Sequence, residues 1–292
     1  MKTKSFTLIE LLVVIVIIGI LAAVIIVSTS SSISKASIAK VKVFENSVQN
    51  ELGANMVSRW KLDEIIGTTT TSDAWGSNTG TLGDGVTAST YPTLKEESEC
   101  VTGKCMYFDG TNDDISIANN STLNFITWNG SYTFSLWLYS DSLVGLTRPS
   151  VFGKFSSTLD RNVISCYAGA VRFGYYNGIN WFGFSGPFTL HKWVYAVGTN
   201  NHGSVSLYLD GVIQTGTSTP YMGSIGMFIG SAGTGDAGEY WKGFIDNISI
   251  YDSVLSSSQI KQEYIAGLNS LLANNNISKE EYDQRINSLA QK

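Results

Sequence analysis

The chain passes through three regimes of hydrophobic patterning. From Phe6 to Val27 it is apolar almost throughout, Glu10 is the one charged residue, and Leu11 to Val27 carries no charge. As a helix rising about 1.5 Å per residue, that stretch spans the roughly 30 Å hydrocarbon layer of a bilayer. Beyond a Ser/Thr patch at Ser28–Ser32, apolar residues recur at Val41, Phe44, Val48 and Leu52. This spacing places them on one stripe of an amphipathic helix, with most of the nearby charges (Lys35, Lys40, Lys42, Glu45 and Glu51) elsewhere, and Gly53–Asn55 should end it. From Trp60 onward the period changes to two. Tyr132, Phe134, Leu136 and Leu138 alternate with Thr133, Ser135, Trp137 and Tyr139, which predicts a strand with one apolar and one polar face. Similar strands are predicted at Ala170–Tyr176, Trp193–Val197, Ser204–Leu209, Met227–Gly230 and Phe244–Tyr251. Turn signals at Asn177-Gly178, Asp210-Gly211 and Gly233 to Gly238 separate them. Many short alternating strands predict a sandwich of two sheets. In the tail, Ser278-Lys279-Glu280-Glu281 has the form of a capping box and opens a short helix.

Composition narrows the chemistry. With 19 Lys+Arg against 24 Asp+Glu the net charge is −5, so the chain lacks the basic surface that nucleic acid requires. Two His and three Cys leave little material for a His- or Cys-rich metal centre. His191 and His202 stand without an arranged nucleophile, and no Gly-rich phosphate loop precedes a helix. Cys100 and Cys105 flank a short loop before Met106–Phe108, on the side of the membrane reached after insertion. A disulfide is the reading for an oxidising compartment, two free thiols the alternative. Cys166 reads as a small buried hydrophobe.

The first residues are Met1-Lys2-Thr3-Lys4-Ser5, then Phe6-Thr7-Leu8-Ile9-Glu10, and later Gly19-Ile20-Leu21-Ala22-Ala23. Lys2 and Lys4 hold the start on the cytoplasmic side. A carboxylate near the head of a membrane helix costs a few kcal/mol and calls for a partner. These residues closely resemble a type IV prepilin over about the first thirty positions. The resemblance implies a prepilin peptidase that cuts after Ser5 and methylates the new amine of Phe6. It also implies that Glu10 meets the amine of a neighbouring subunit's Phe6 during filament assembly. Ser5 stands where the family most often has Gly, and Val27 where many members have a helix-loosening Pro. The alternative is a plain signal anchor whose Glu10 snorkels to the interface.

A second resemblance covers nearly all of the body. Its elements are Trp60-Lys61-Leu62-Asp63-Glu64, Gly67-Thr68, Asp73 with Gly76, Gly80-Thr81-Leu82, Tyr107 to Asp113, and the strand Thr133 to Tyr139. They continue with His191-Lys192-Trp193, Leu207 to Gly211, Ile229-Gly230, Trp241 to Tyr251, Leu255-Ser256 and Gln259-Ile260. In this order they resemble the laminin-G-like, concanavalin A-like jelly-roll family. The expected fold is therefore a long N-terminal α-helix, transmembrane then amphipathic, followed by an all-β jelly-roll sandwich.

Alternation in its strand places Asp246 on the face of Phe244, Ile248 and Ile250, where a buried carboxylate needs a cation, a basic side chain or several donors. The resemblance implies a bound Ca2+, for which Asp73, Asp109, Asp113 and Asp246 could supply oxygens. The alternative is that Asp109-Gly110 and Asp210-Gly211 are ordinary turns and Asp246 accepts backbone hydrogen bonds. Trp137 and Tyr139 share the polar face of one strand, Arg172 and Tyr176 that of another. In one concave sheet, with Trp181 on a neighbouring loop, they would form an aromatic platform for sugar rings. Otherwise Trp137 and Tyr139 cover a sheet edge or pack under a loop. Glycanases of this architecture carry a Glu-x-Asp-x-x-Glu string; none is present, so binding rather than catalysis is expected.

The expected organisation is a leader at 1–5, a membrane and assembly helix at 6–28, a stalk helix at 29–58, a laminin-G-like sandwich at 59–272 and a helical tail at 273–292. The expected function is a pilin-like subunit, minor or at the tip, anchored in the cytoplasmic membrane with its head outside and later part of a surface filament. Its expected partners are other pilin subunits, the prepilin peptidase and a glycan or surface protein. A pseudopilin of a secretion system and a surface glycan hydrolase are the alternatives.

Overall fold

The computed structural model describes residues 39–290 except 66, 128, 145, 147, 156–159, 178–180, 215–225 and 234–238; side chains at 155, 160–163, 175–177, 181–182 and 226 are also outside the description. The leader, the expected membrane helix, the processing residues Ser5 and Phe6, and Glu10 all lie outside the described residues. No helix among the described residues is long and apolar enough to cross a membrane.

Residues 39–52 form the first helix, α1, which tightens into a 3-10 turn at Gly53–Asn55 where the sequence signalled a stop. Val48 and Leu52 are buried and Phe44 packs beside them, so the expected stripe is the docked face. The first strand starts at Met56, three residues ahead of the expected boundary of the sandwich.

Among the described residues sixteen strands form two antiparallel eight-stranded sheets. The first sheet contains β1 (Met56–Trp60), β4 (Thr93–Lys95), β5 (Cys105–Asp109), β7 (Ser131–Tyr139), β12 (Val194–Asn201), β13 (Ser204–Leu209), β14 (Val212–Ile213) and β16 (Lys242–Tyr251). The second contains β2 (Thr70–Thr71), β3 (Gly80–Leu82), β6 (Ile115–Ile117), β8 (Ser150–Phe155), β9 (Asp160–Tyr167), β10 (Ala170–Asn177), β11 (Trp181–Pro187) and β15 (Gly226–Ile229). The first runs in the order β14-β13-β12-β7-β16-β5-β4, with β1 also on β16; the second runs β11-β10-β9-β8-β15-β6-β3-β2. Phe134, Leu136 and Leu138 of β7, Phe152 of β8, Phe173 of β10 and Ile229 of β15 fill the space between the sheets. Removing such apolar surface from water is the main term holding a sandwich together. Asp210-Gly211 is the expected hairpin turn, both residues at positive φ, joining Leu209 to Val212.

A third layer covers the outer face of the first sheet. Helix α2 (Ser257–Ala273) opens with a capping box between Ser256 and Gln259, and helix α3 (Lys279–Ala290) follows it. With α1 they bury a second apolar cluster that includes Val48, Leu52, Trp137, Tyr195, Tyr264, Leu268 and Leu289. The tail is therefore part of the fold: Arg285 of α3 is 4% exposed and its Nη1 donates to the carbonyl of Trp193 at 2.9 Å.

Strand β16 breaks its own alternation. It pairs with β5 from Lys242 to Ile245 and with β1 from Ile248 to Tyr251. Between them lies a bulge, with Asn247 at φ 48°. The extra residue turns Ile248 and Ile250 to the inter-sheet core and leaves Asp246 on the opposite face, under the outer layer. Sequence alternation had placed all three on one face.

Candidate functional site

The expected sugar platform does not form, because its residues belong to different sheets. Trp137 and Tyr139 are on β7 of the first sheet, Arg172 and Tyr176 on β10 of the second. Trp137 is 3% exposed: its ring stacks on Tyr264 of α2 at 5.7 Å and meets Tyr195 at 5.1 Å. Tyr139 packs edge-on against Phe244 and beside Trp193. The polar face of β7 is thus a helix-docking face, closed to ligand. Tyr176 and Trp181 are register partners on β10 and β11, so Trp181 sits in a strand and not in a loop.

Among the described residues the second sheet contributes none to the outer cluster. Its β9–β10 hairpin turns at Ala168 and Gly169, both at positive φ, and pairs Tyr167 with Ala170 and Ser165 with Arg172. Tyr167 and Arg172 are therefore diagonal neighbours on the outward face. The Arg172 guanidinium lies 4.0 Å from the centre of the Tyr167 ring, which is 42% exposed, and Ser185 of β11 is exposed opposite Arg172. An exposed ring against a cation, with the Ser185 hydroxyl on the next strand, is chemistry that suits a sugar. The sequence reading included Arg172 and missed Tyr167, which the turn carries to the end of its strand.

The four nominated carboxylates are not brought together. Asp73 Oδ1 accepts from the N–H groups of Arg59, Trp75 and Gly76 at 2.8, 3.1 and 2.8 Å, and Oδ2 accepts from that of Asn78 at 3.0 Å. It organises a turn. Asp113 Oδ2 accepts from the Asp109 N–H at 2.9 Å, and Asp109 Oδ1 from that of Thr111 at 2.7 Å. Asp246 Oδ2 accepts from the N–H groups of Val101 and Thr102 at 2.8 and 3.1 Å, the backbone alternative weighed above. Calcium takes about six to eight oxygens, and no group of three or more His, Cys, Asp or Glu is placed to hold a metal among the described residues. These four residues do not fit one calcium site.

Asp246 is fully buried and its Oδ1 has no partner among the described residues. Burial, opposed by the two N–H donors, holds its carboxyl well above the ordinary 3.8. A raised carboxyl favours the protonated folded state, so this contribution to stability is complete below the ordinary value and is lost as pH rises through the folded one. Asp246→Asn should therefore flatten the fall in melting temperature as pH rises above about 4, the ordinary carboxylate range. Thermal melts of both proteins at rising pH check it; parallel curves would show that Asp246 titrates alike folded and unfolded.

Beside Asp246, α1, α2 and the first sheet border a half-open cleft of about 50 Å3, lined by polar Glu45, Arg59, Asn247 and Glu263 and by apolar Val48 and Trp137 among others. Glu45 lies next to the docked stripe and faces inward, where Ser270 of α2 and Thr102 donate to its carboxylate. The helix periodicity alone had placed it away from the stripe. Tyr195 and Tyr251 both donate to Glu263, and burial first, then that carboxylate, raises both phenols well above their usual range.

Cys100 and Cys105 form the expected disulfide. Cys166 lies in the inter-sheet core, where burial pushes its thiol up.

The model of the concanavalin A-like lectin/glucanases superfamily matches residues 109–261, more than half of the chain. The chain belongs to this superfamily. The model of the prokaryotic N-terminal methylation motif matches residues 1–26, which marks a membrane-processed, pilin-like precursor. Among curated proteins nothing matches. Among solved structures, the superfamily member described here is similar to Trypanosoma rangeli sialidase in complex with the inhibitor DANA. The identity is 15% and the TM-score 0.55, over 78% of this chain and 38% of that one. It is also similar to domain 4 of AbnA, a GH43 extracellular arabinanase from Geobacillus stearothermophilus solved with arabinotriose. There the identity is 18% and the TM-score 0.54, over 72% of this chain and 98% of that one. A third is the binding domain of Paraclostridial Mosquitocidal Protein 1, at 14% identity and TM-score 0.54, over 75% of this chain and 53% of that one. These likenesses establish the fold.

Proposed function

We propose that the protein is a type IV pilin-like filament subunit, minor or at the tip, whose lectin-like head binds a glycan outside the cell. The observation that carries the reading is the joining of two parts in one chain: a methylation motif at residues 1–26 and a sandwich onto which the helix that follows the motif is packed. A head fixed to its helix is what a filament needs in order to project a binding domain. Binding rather than catalysis rests on the missing paired-carboxylate string.

Glycan binding is assigned to the outward face of the second sheet, because the first sheet is covered on both faces. The arabinotriose bound to domain 4 of AbnA gives a sugar class to try first, beside a wider glycan array. In the Tyr167→Ala, Arg172→Ala double variant the melting temperature should stay within a few degrees of wild type, since Tyr167 is exposed and Arg172 only half-buried, both outside the inter-sheet core. Glycan binding should fall at least tenfold, the loss of about 1.4 kcal/mol or more expected when a stacking ring is removed. Array binding that survives both substitutions would move the ligand away from this face. Silence of a folded wild-type head on the array would favour a pseudopilin that touches only its own secretion machinery.

A further inference from the structure

We infer that the Cys100–Cys105 bridge is a redox licence for docking the stalk helix: it must form before the outer layer closes, and once covered it is protected. The inference rests on the pilin reading above and adds an order of events to it.

Three observations meet at the bridge. First, both cysteines are 0% exposed and belong to the cluster that α1, α2 and α3 cover, together with Val48 and Leu52 of α1. An oxidant cannot reach sulfurs so placed, so oxidation precedes the packing of that layer. Second, the loop that the bridge closes is tied to every part of the junction. Its Val101 and Thr102 N–H groups hold Asp246 of β16, and the Thr102 hydroxyl donates to Glu45 of α1. Its Cys100 carbonyl accepts from Asn276, in the α2–α3 turn, at 2.6 Å. Third, the inter-sheet core contains neither cysteine. Opening the bridge therefore loosens the outer layer while leaving the sandwich its own core.

Closing the bridge takes two protons and two electrons from the Cys100 and Cys105 thiols. They pass to the disulfide of a dithiol oxidant, which leaves as its dithiol. Such oxidants act outside the cytoplasm, so the stalk of an unexported chain stays undocked. Linkage makes the effect reciprocal: if the bridge favours docking, docking makes reduction of the bridge less favourable by the same free energy.

The test uses the full chain in detergent micelles, with two readouts. Hydrogen exchange compares wild type with the Cys100→Ser, Cys105→Ser double variant. Protection at residues 39–52 should fall about tenfold or more, while β7 and β12 keep theirs. Reduction by a soluble phosphine is then timed in wild type and in Glu45→Ala and Leu52→Ala, which weaken docking without touching the cysteines. Both variants should be reduced about tenfold faster, because the phosphine reaches the buried sulfurs only when the outer layer opens. Unchanged protection in the serine variant overturns the proposal. So does equal loss in β7 and β12, which would make the bridge a support of the whole fold. Equal reduction rates in wild type and both docking variants overturn it as well. Whether the chain is found in filaments is scored separately: coupling without filaments would sink the pilin reading, and filaments without coupling would sink only this one.

Discussion

Trp137→Ala is expected to cost about 3–5 kcal/mol, the range for truncating a large buried aromatic, and to lower the melting temperature by roughly 10 °C. The reason is the covered face of β7. Trp137 lies against Tyr195 of its own sheet and Tyr264 of α2, and removing it takes the centre out of the layer that joins helices to sandwich. A partner substitution separates this explanation from a general weakening. A Cβ built on Gly267 would lie 2.5 Å from the Trp137 ring, so Gly267→Ala alone should cost about 1–3 kcal/mol through overpacking. In the Trp137→Ala background the ring is gone and Gly267→Ala should cost almost nothing. Thermal or denaturant melts of the four proteins give the coupling. Additive effects would mean that the two residues do not share a packing site, and loss of glycan binding in a fully stable Trp137→Ala would restore the discarded platform.

The second large effect concerns assembly. Glu10→Ala should leave the chain in the membrane, since it makes the segment more apolar, yet reduce its recovery in filaments to background. In the pilin reading the carboxylate is tolerated in an apolar layer only because a neighbouring subunit's Phe6 amine neutralises it. Removing the carboxylate leaves that amine unpaired and the register between subunits unspecified. Deleting Phe6 to Val27 should abolish membrane retention as well. The check is an immunoblot of sheared filaments and membranes from cells expressing each variant. Wild-type recovery of Glu10→Ala in filaments would remove the assembly role from Glu10.

What the sequence made legible follows the physics of each signal. Period-two alternation located β7, β10, β13 and β16 closely, because a sandwich strand must keep one face dry. The stripe Val41, Phe44, Val48, Leu52 found the docked face of α1 for the same reason. Alternation reports one buried face and is silent about the other. The Ser, Thr, Trp and Tyr face of β7 looked like a ligand surface, and what covers it lies more than a hundred residues away, in α2. Asp246 was misplaced because a bulge shifts the register by one residue, and the one local signal, that Asn takes positive φ more readily than most residues, is too weak to break a clean alternation. Tyr167 escaped notice because its role depends on diagonal pairing across a hairpin with Arg172. The bridge of Cys100 and Cys105 was readable from spacing and compartment. Its ties to Glu45, Asp246 and Asn276 required the fold.

The most direct measurement is the intact mass of this protein isolated from sheared surface filaments. The pilin reading predicts a chain that begins at Phe6 and carries the added mass of one methyl group. A chain still beginning at Met1, or none in the sheared fraction while it abounds in the membrane, would contradict it.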